Sequence, residues 1–139
     1  MTNLEYAKKK LESNTVCLVK EDSLFISQKR GVTPLLEFIE SNFNFKGYSA
    51  ADKIVGKAAA FLYAYMGVKE VYAEVLSKEA IPVLEKYNIS FEYNILTDYI
   101  INRKGNGPCP MEEAVLNCSF KEDAIPAIYN RIKELQRQI

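Results

Sequence analysis

Histidine is missing from the chain altogether, and two further scarcities matter: cysteine, at three residues, and net charge, which is +0 from 18 basic and 18 acidic side chains over 139 residues. Without histidine there is no Ser-His or Cys-His relay, and zinc loses its commonest protein ligand, so most metal-hydrolase designs are excluded. No metal and no cofactor is expected. Three cysteines cannot all pair, so disulfides do not define this fold, and reduced thiols in a cytoplasmic protein are the expectation. Zero net charge with a pI near 6.4 argues against a general nucleic-acid or anionic-membrane surface. A local basic patch for a small anion stays open. Met1–Tyr6 carries no basic region followed by an apolar signal run, and no apolar stretch is long and uninterrupted enough to span a membrane. Linkers, low-complexity tracts and internal repeats are also lacking.

What is present is a hydrophobic content of 48% and an aromatic content of 12%, enough for one domain over residues 1–139 with a sizeable core. Leu4, Ala7 and Leu11 recur at helical spacing, predicting a first helix over Thr2–Asn14. Thr15–Val19 and Leu24–Ile26 flank the polar turn Lys20–Ser23 and predict a hairpin. Thr33 as N-cap and Pro34 early in the helix open a helix through Leu35, Leu36, Phe38 and Ile39. Ser49 with Asp52 has capping-box spacing and predicts a helix from Ser49 that ends at Gly67 in the left-handed cap position. From Ile54 to Val68 only Lys57 is charged, so this helix should be central. Val68–Leu76 reads as a strand, Lys78–Asn88 as a helix with Pro82 near its start, and Ile89–Tyr93 as a strand, with Leu96–Ile101 extending or repeating that sheet. A short helix over Met111–Asn117 and a longer one over Lys121–Ile139, bent or restarted at Pro126, finish the chain. The order predicts an α/β three-layer sandwich with a mixed central sheet, in which the strands around Val71 and Phe91 are parallel.

The most informative stretch runs from Asn102 to Ala114. It places Cys109 between Pro108 and Pro110, where the loop Gly105-Asn106-Gly107 turns into a helix. Pro110 suits a first helical turn and Glu112-Glu113 suits its positive end, so the Cys109 sulfur should sit near backbone N–H groups that favour a thiolate.

A hairpin followed by a central helix, strand, helix and strand resembles the cytidine-deaminase-like fold. That resemblance implies zinc ligands at two helix starts. Here the first position reads Ala51-Asp52-Lys53-Ile54 and the second Ser77-Lys78-Glu79-Ala80, and neither holds a zinc ligand set. Ala51-Asp52-Lys53-x-x-Gly56-Lys57-Ala58-Ala59, together with Gly105-x-Gly107-x-Cys109-Pro110-Met111-Glu112, resembles the uncharacterised domain of unknown function 1893. The resemblance spans nearly the whole chain and implies a deaminase-like fold without the zinc site.

The candidate catalytic residues are Cys109, Lys57 and Asp52, and the candidate ligand-binding residues are Lys53, Gly56, Arg103, Gly107 and Glu112. Lys53 and Lys57, four apart, would share one helical face beside Gly56, and an anion between them would compensate their repulsion. Packing alone would instead leave Lys53 exposed and Lys57 snorkelling. Asp52 either caps its helix or orients a lysine. Arg103 and Lys104 place positive charge beside Cys109 or form a solvated loop, and Glu112 either favours the helix dipole or faces the site as a proton carrier. Gly105-Asn106-Gly107 is by default a turn. Cys17 and Cys118 read as core or incidental surface. Phe61, Tyr63, Tyr65 and Tyr72 are spaced as core or interface, and an exposed aromatic face would imply a homodimer. Two functions follow: a non-catalytic domain binding a small anionic ligand or metabolite, and a thiol-dependent enzyme or sulfur- or redox-handling protein using Cys109 as nucleophile.

Overall fold

The structure is a computed structural model that describes residues 1–137. Two core clusters lie on opposite faces of one five-stranded sheet of order β2-β1-β3-β4-β5. The first strands, β1 (Val16–Lys20) and β2 (Ser23–Ser27), form the expected antiparallel hairpin, with Glu21 at φ 54° in its two-residue turn. β3 (Ser49–Val55) pairs antiparallel with β1 and parallel with β4 (Glu70–Ser77). β4 in turn pairs parallel with β5 (Ser90–Thr97), with Val71 opposite Phe91 as expected.

Helix α1 (Asn3–Lys10) begins where Thr2 Oγ1 accepts the Glu5 N–H at 3.1 Å, and tightens into a 3-10 turn over Leu11–Ser13. It packs Ala7 and Leu11 on Cys17, Val19 and Ala51, covering one face of the sheet. The larger core on the other face is built around α3 (Lys57–Met66), with α2 (Thr33–Glu40), α4 (Ile81–Lys86), α5 (Pro110–Ala114) and α6 (Lys121–Arg137) against it. The mixed sheet with an N-terminal hairpin and flanking helices is therefore the architecture expected from the sequence. α6 continues through Pro126, and the last two positions of the helix expected there, 138 and 139, lie outside the described residues. The strand expected over Ile89–Tyr93 runs on to Thr97, after which Ile101 makes an isolated antiparallel bridge to Pro108. Among the described residues, no helix is long and apolar enough to cross a membrane.

The helix expected from Ser49 is the main correction. Residues Ser49–Val55 are β3, and α3 starts at Lys57. Ser-Ala-Ala-Asp has helix-compatible residues and cap-like spacing, but this segment lies between β1 and β4 and is buried from Ser49 to Asp52. Its small side chains let α1 and α3 approach the sheet, and this packing overrides local propensity. The capping pair is dissolved accordingly: Ser49 Oγ donates to Glu70, and Asp52 meets Tyr63. Lys53 and Lys57 do not share a helical face either, since one is on the strand and the other opens the helix. The expected end of the helix holds, with Gly67 at φ 78° in the left-handed cap.

Candidate functional site

α3 starts directly after β3 with Gly56 as its N-cap residue, which offers no side chain to its unpaired N–H groups. Glu112 of α5 supplies the acceptor instead. The Lys57 N–H donates to Glu112 Oε1 at 2.7 Å and the Ala58 N–H to Oε2 at 2.8 Å. A Cβ on Gly56 would stand 2.2 Å from Oε1, so glycine is required here for close approach rather than for a left-handed backbone. Glu112 is buried, and that desolvation pushes its carboxyl above the usual range, against the two N–H donors and the Lys57 charge that pull it down. α5 is tied in from both sides: the Cys109 N–H donates to Ile100 O at 3.0 Å, and the Arg131 guanidinium donates to Pro110 O at 2.9 Å.

Beside this capped helix start lies a cavity of about 410 Å³ between α4 and the turn that follows α5, lined by Lys57, Glu79, Val83, Lys86, Leu116 and Cys118 among others. Both of its lysines are held by that turn. Lys57 Nζ donates to Leu116 O at 2.9 Å, and Lys86 Nζ to Ser119 O at 2.8 Å while standing 3.6 Å from the Phe120 ring centroid. Each ammonium uses one of its three donors in this way. The site lies at the carboxyl ends of parallel strands, where open α/β sheets place ligands.

Asp52 is elsewhere. Its carboxyl is buried under α3, where Tyr63 OH donates to Oδ2 at 2.7 Å and the Ile54 N–H to Oδ1 at 3.2 Å. Burial raises it to about 7 despite both donors. Tyr63 is pushed well above its ordinary value, first by burial and then by Asp52. Cys17, on the other face, is raised to about 11 by burial, with the Asp52 charge adding to it. The bond to Ile54 reaches two residues down Asp52's own strand, and the in–out alternation fails there, with Lys53 and Ile54 both exposed and Val55 buried.

The expected site residues thus divide. Lys57, Gly56 and Glu112 converge at the start of α3. Lys53 is exposed on β3, and its N–H donates to Thr15 O at 3.0 Å. Arg103 is exposed in the loop before α5, which is closed on itself by Asn102 N–H to Gly107 O at 2.8 Å and by Asn102 to Asn106 at 3.0 Å. A Cβ at Gly107 would meet only the Asn102 amide at 3.6 Å, so nothing presses on that glycine. Cys109 is half-buried and is the backbone N-cap of α5, but its side chain makes no capping bond and does not line the cavity; Cys118 does. Lys86, Cys118 and Tyr63 were not singled out as site residues by the sequence. The one available signal was Gly56 at the junction of two apolar segments. The helix start after β3 is therefore Gly56-Lys57-Ala58 rather than Ala51–Ile54, and it holds no cysteine, histidine or carboxylate of its own. Among the described residues, no three His, Cys, Asp or Glu side chains are grouped to hold a metal ion.

Residues 6–132 match the family model described as "Domain of unknown function (DUF1893)". The chain is similar to a solved DUF1893 family protein, TM1506 from Thermotoga maritima, at 29% identity and a TM-score of 0.86, covering 94% of this chain and 91% of that one. It also has a likeness to the apo dCMP deaminase of cyanophage S-TIM5, at 16% identity and a TM-score of 0.45 over 66% of this chain and 93% of that one. No curated protein matches the chain.

Proposed function

The chain belongs to the DUF1893 family, and within that family we propose that it is a single non-zinc binding domain over residues 1–139 that takes a small anionic molecule in the cavity between Lys57 and Lys86. One observation carries the reading: two ammonium groups are anchored by the same turn, on Leu116 O and Ser119 O, at a cavity with one lining carboxylate, Glu79. Each keeps donors for a ligand, and anchoring lowers the side-chain entropy lost on binding. Glu112 occupies the α3 N–H groups that would otherwise attract an anion directly, so the ligand is bound beside that helix start and not on it.

Binding is favoured over catalysis because the two buried carboxylates of this half of the sheet are committed: Glu112 caps α3, and Asp52, away from the cavity, is enclosed with Tyr63. A reducing, cytoplasmic setting belongs to the same proposal, resting on the count of three cysteines, which cannot all pair. Calorimetric titration with inorganic phosphate, pyrophosphate and small dicarboxylates tests the proposal. Saturable binding should weaken by about 1–3 kcal/mol in Lys57→Met and in Lys86→Met, as for loss of a charge-assisted hydrogen bond. Binding that neither substitution alters would remove the cavity from the reading.

A further inference from the structure

The cavity beside the start of α3 has two unlike ends, and one carboxylate that a purely anionic ligand leaves without a role. Glu79, Pro82, Val83 and Lys86 follow one another at i, i+3, i+4 and i+7 from the 3-10 turn Lys78–Ala80 through α4, so they line the cavity as one helical face. At about 1.5 Å of rise per residue, Glu79 and Lys86 stand roughly 10 Å apart along that face. Lys57 belongs to the Glu79 end. The charges of both reach the buried Glu112 carboxyl, Glu79 pushing it up and Lys57 pulling it down. Lys86 is at the far end, held by Ser119 O beside the Phe120 ring.

One end therefore carries an ammonium and a carboxylate, the other an ammonium alone, and the walls between them are apolar, from Pro82, Val83 and Leu116. Among the described residues, Lys57, Lys86 and Glu79 take part in no ion pair. Lys57 and Glu79 thus line the same end without meeting, which leaves a slot between unlike charges. A molecule carrying a carboxylate next to an ammonium group fits that slot, since the carboxylate accepts from Lys57 and the ammonium donates to Glu79. At about 410 Å³ the cavity also falls within the range of about 300–1,000 Å³ typical of sites for organic ligands, and exceeds what one inorganic anion fills.

We propose that the ligand is an α-amino acid with an acidic side chain, its ammonium on Glu79, its α-carboxylate on Lys57 and its side-chain acid on Lys86, with the methylenes between them against Pro82, Val83 and Leu116. This names the ligand class of the anion site proposed above and rests on that reading. Each charge of the ligand then faces a lining charge of opposite sign. Inorganic phosphate or a plain dicarboxylate meets both lysines but brings no donor to Glu79 and sets a like charge beside it, so the same carboxylate that holds the amino acid disfavours its competitors.

Calorimetric titration with L-glutamate and L-2-aminoadipate tests the assignment, the tighter binder of the two serving as reference. It should bind about 10–100-fold more tightly than the dicarboxylate lacking its amine, than its side-chain amide, and than the ω-amino acid lacking its α-carboxylate, the scale of one charge-assisted hydrogen bond in each case. Each preference should vanish in one variant: that over the dicarboxylate in Glu79→Gln, that over the amide in Lys86→Met, and that over the ω-amino acid in Lys57→Met. Glu79 and Lys86 are exposed, so their variants keep the core intact, and the comparison of ligands on the parent chain stands whatever any variant does. Phosphate or a dicarboxylate bound through Lys57 and Lys86 as tightly as the amino acid overturns the assignment and leaves the anion site standing. Saturable binding of none of these molecules overturns both. Preferences that survive all three substitutions also overturn the assignment.

Discussion

The Cβ that Gly56 lacks would stand 2.2 Å from Glu112 Oε1, so the two residues are fitted to each other: the glycine leaves the space and the carboxylate fills it. Gly56→Ala should push the carboxylate off the Lys57 and Ala58 N–H groups and destabilise the protein by about 2–4 kcal/mol, the scale of a lost cap with charged hydrogen bonds. Glu112→Ala should cost about as much. The double variant should be no less stable than Glu112→Ala alone, because the clash is gone once the carboxylate is. Urea unfolding of all four proteins measures this, and strict additivity would contradict the fit.

Asp52 gives the stability a pH dependence. Its folded value of about 7 lies above its ordinary 3.8, so between those limits the folded chain holds a proton that the unfolded chain has released. Stability therefore falls as pH rises from about 4 to 7 and is lowest above 7, with a span of a few kcal/mol. Glu112, also raised by burial, adds to the same slope. Asp52→Asn keeps an acceptor for the Ile54 N–H and an amide for Tyr63 OH without the charge. It should flatten the profile and match or exceed the parent at pH 8 in thermal unfolding. An unchanged slope would mean that Asp52 is ionised in the fold.

The thiols should separate by access. Cys17 is fully buried and raised to about 11, whereas Cys109 and Cys118 are half-buried. Iodoacetamide labelling of the native protein, read by mass spectrometry, should modify Cys109 and Cys118 and leave Cys17 for the unfolded state. Early labelling of Cys17 would show that α1 leaves the sheet readily.

Protein purified without chelator should carry no stoichiometric zinc. The helix starts after β3 and β4 read Gly56-Lys57-Ala58 and Ser77-Lys78-Glu79, and neither provides a ligand set. Elemental analysis finding one tightly held zinc per chain would reverse this.

Much of the fold was legible because β1, β2, β4 and the C-terminal helices carry local signals: apolar runs between turns, prolines at helix starts and a glycine at a helix end. β3 was not, because what makes Ser49–Val55 a strand is its two neighbours, and its alanines and Asp52 speak locally for a helix. The same local signal spaces Lys53 and Lys57 as one helical face, whereas one lies on β3 and the other opens α3. Lys57, Gly56 and Glu112 do belong together, but Glu112 caps a helix 54 positions away from it in sequence, a relation no spacing rule reveals. Lys86 carries no signal and Cys118 reads as core or incidental surface for the same reason, since the cavity arises only when α4 and the turn after α5 meet.

The two amides at the start of α3 also make a built-in gauge of local opening. Ordinary helix amides bond within their own helix, but those of Lys57 and Ala58 bond a carboxylate carried by another element. Their hydrogen exchange is gated by the departure of α5, while the amides of Phe61 and Leu62 one turn further along wait for the core to come apart. The protection of the Lys57 and Ala58 amides, taken against their unprotected exchange rates, gives the free energy with which α5 is latched to the body of the protein, and it is readable without any substitution.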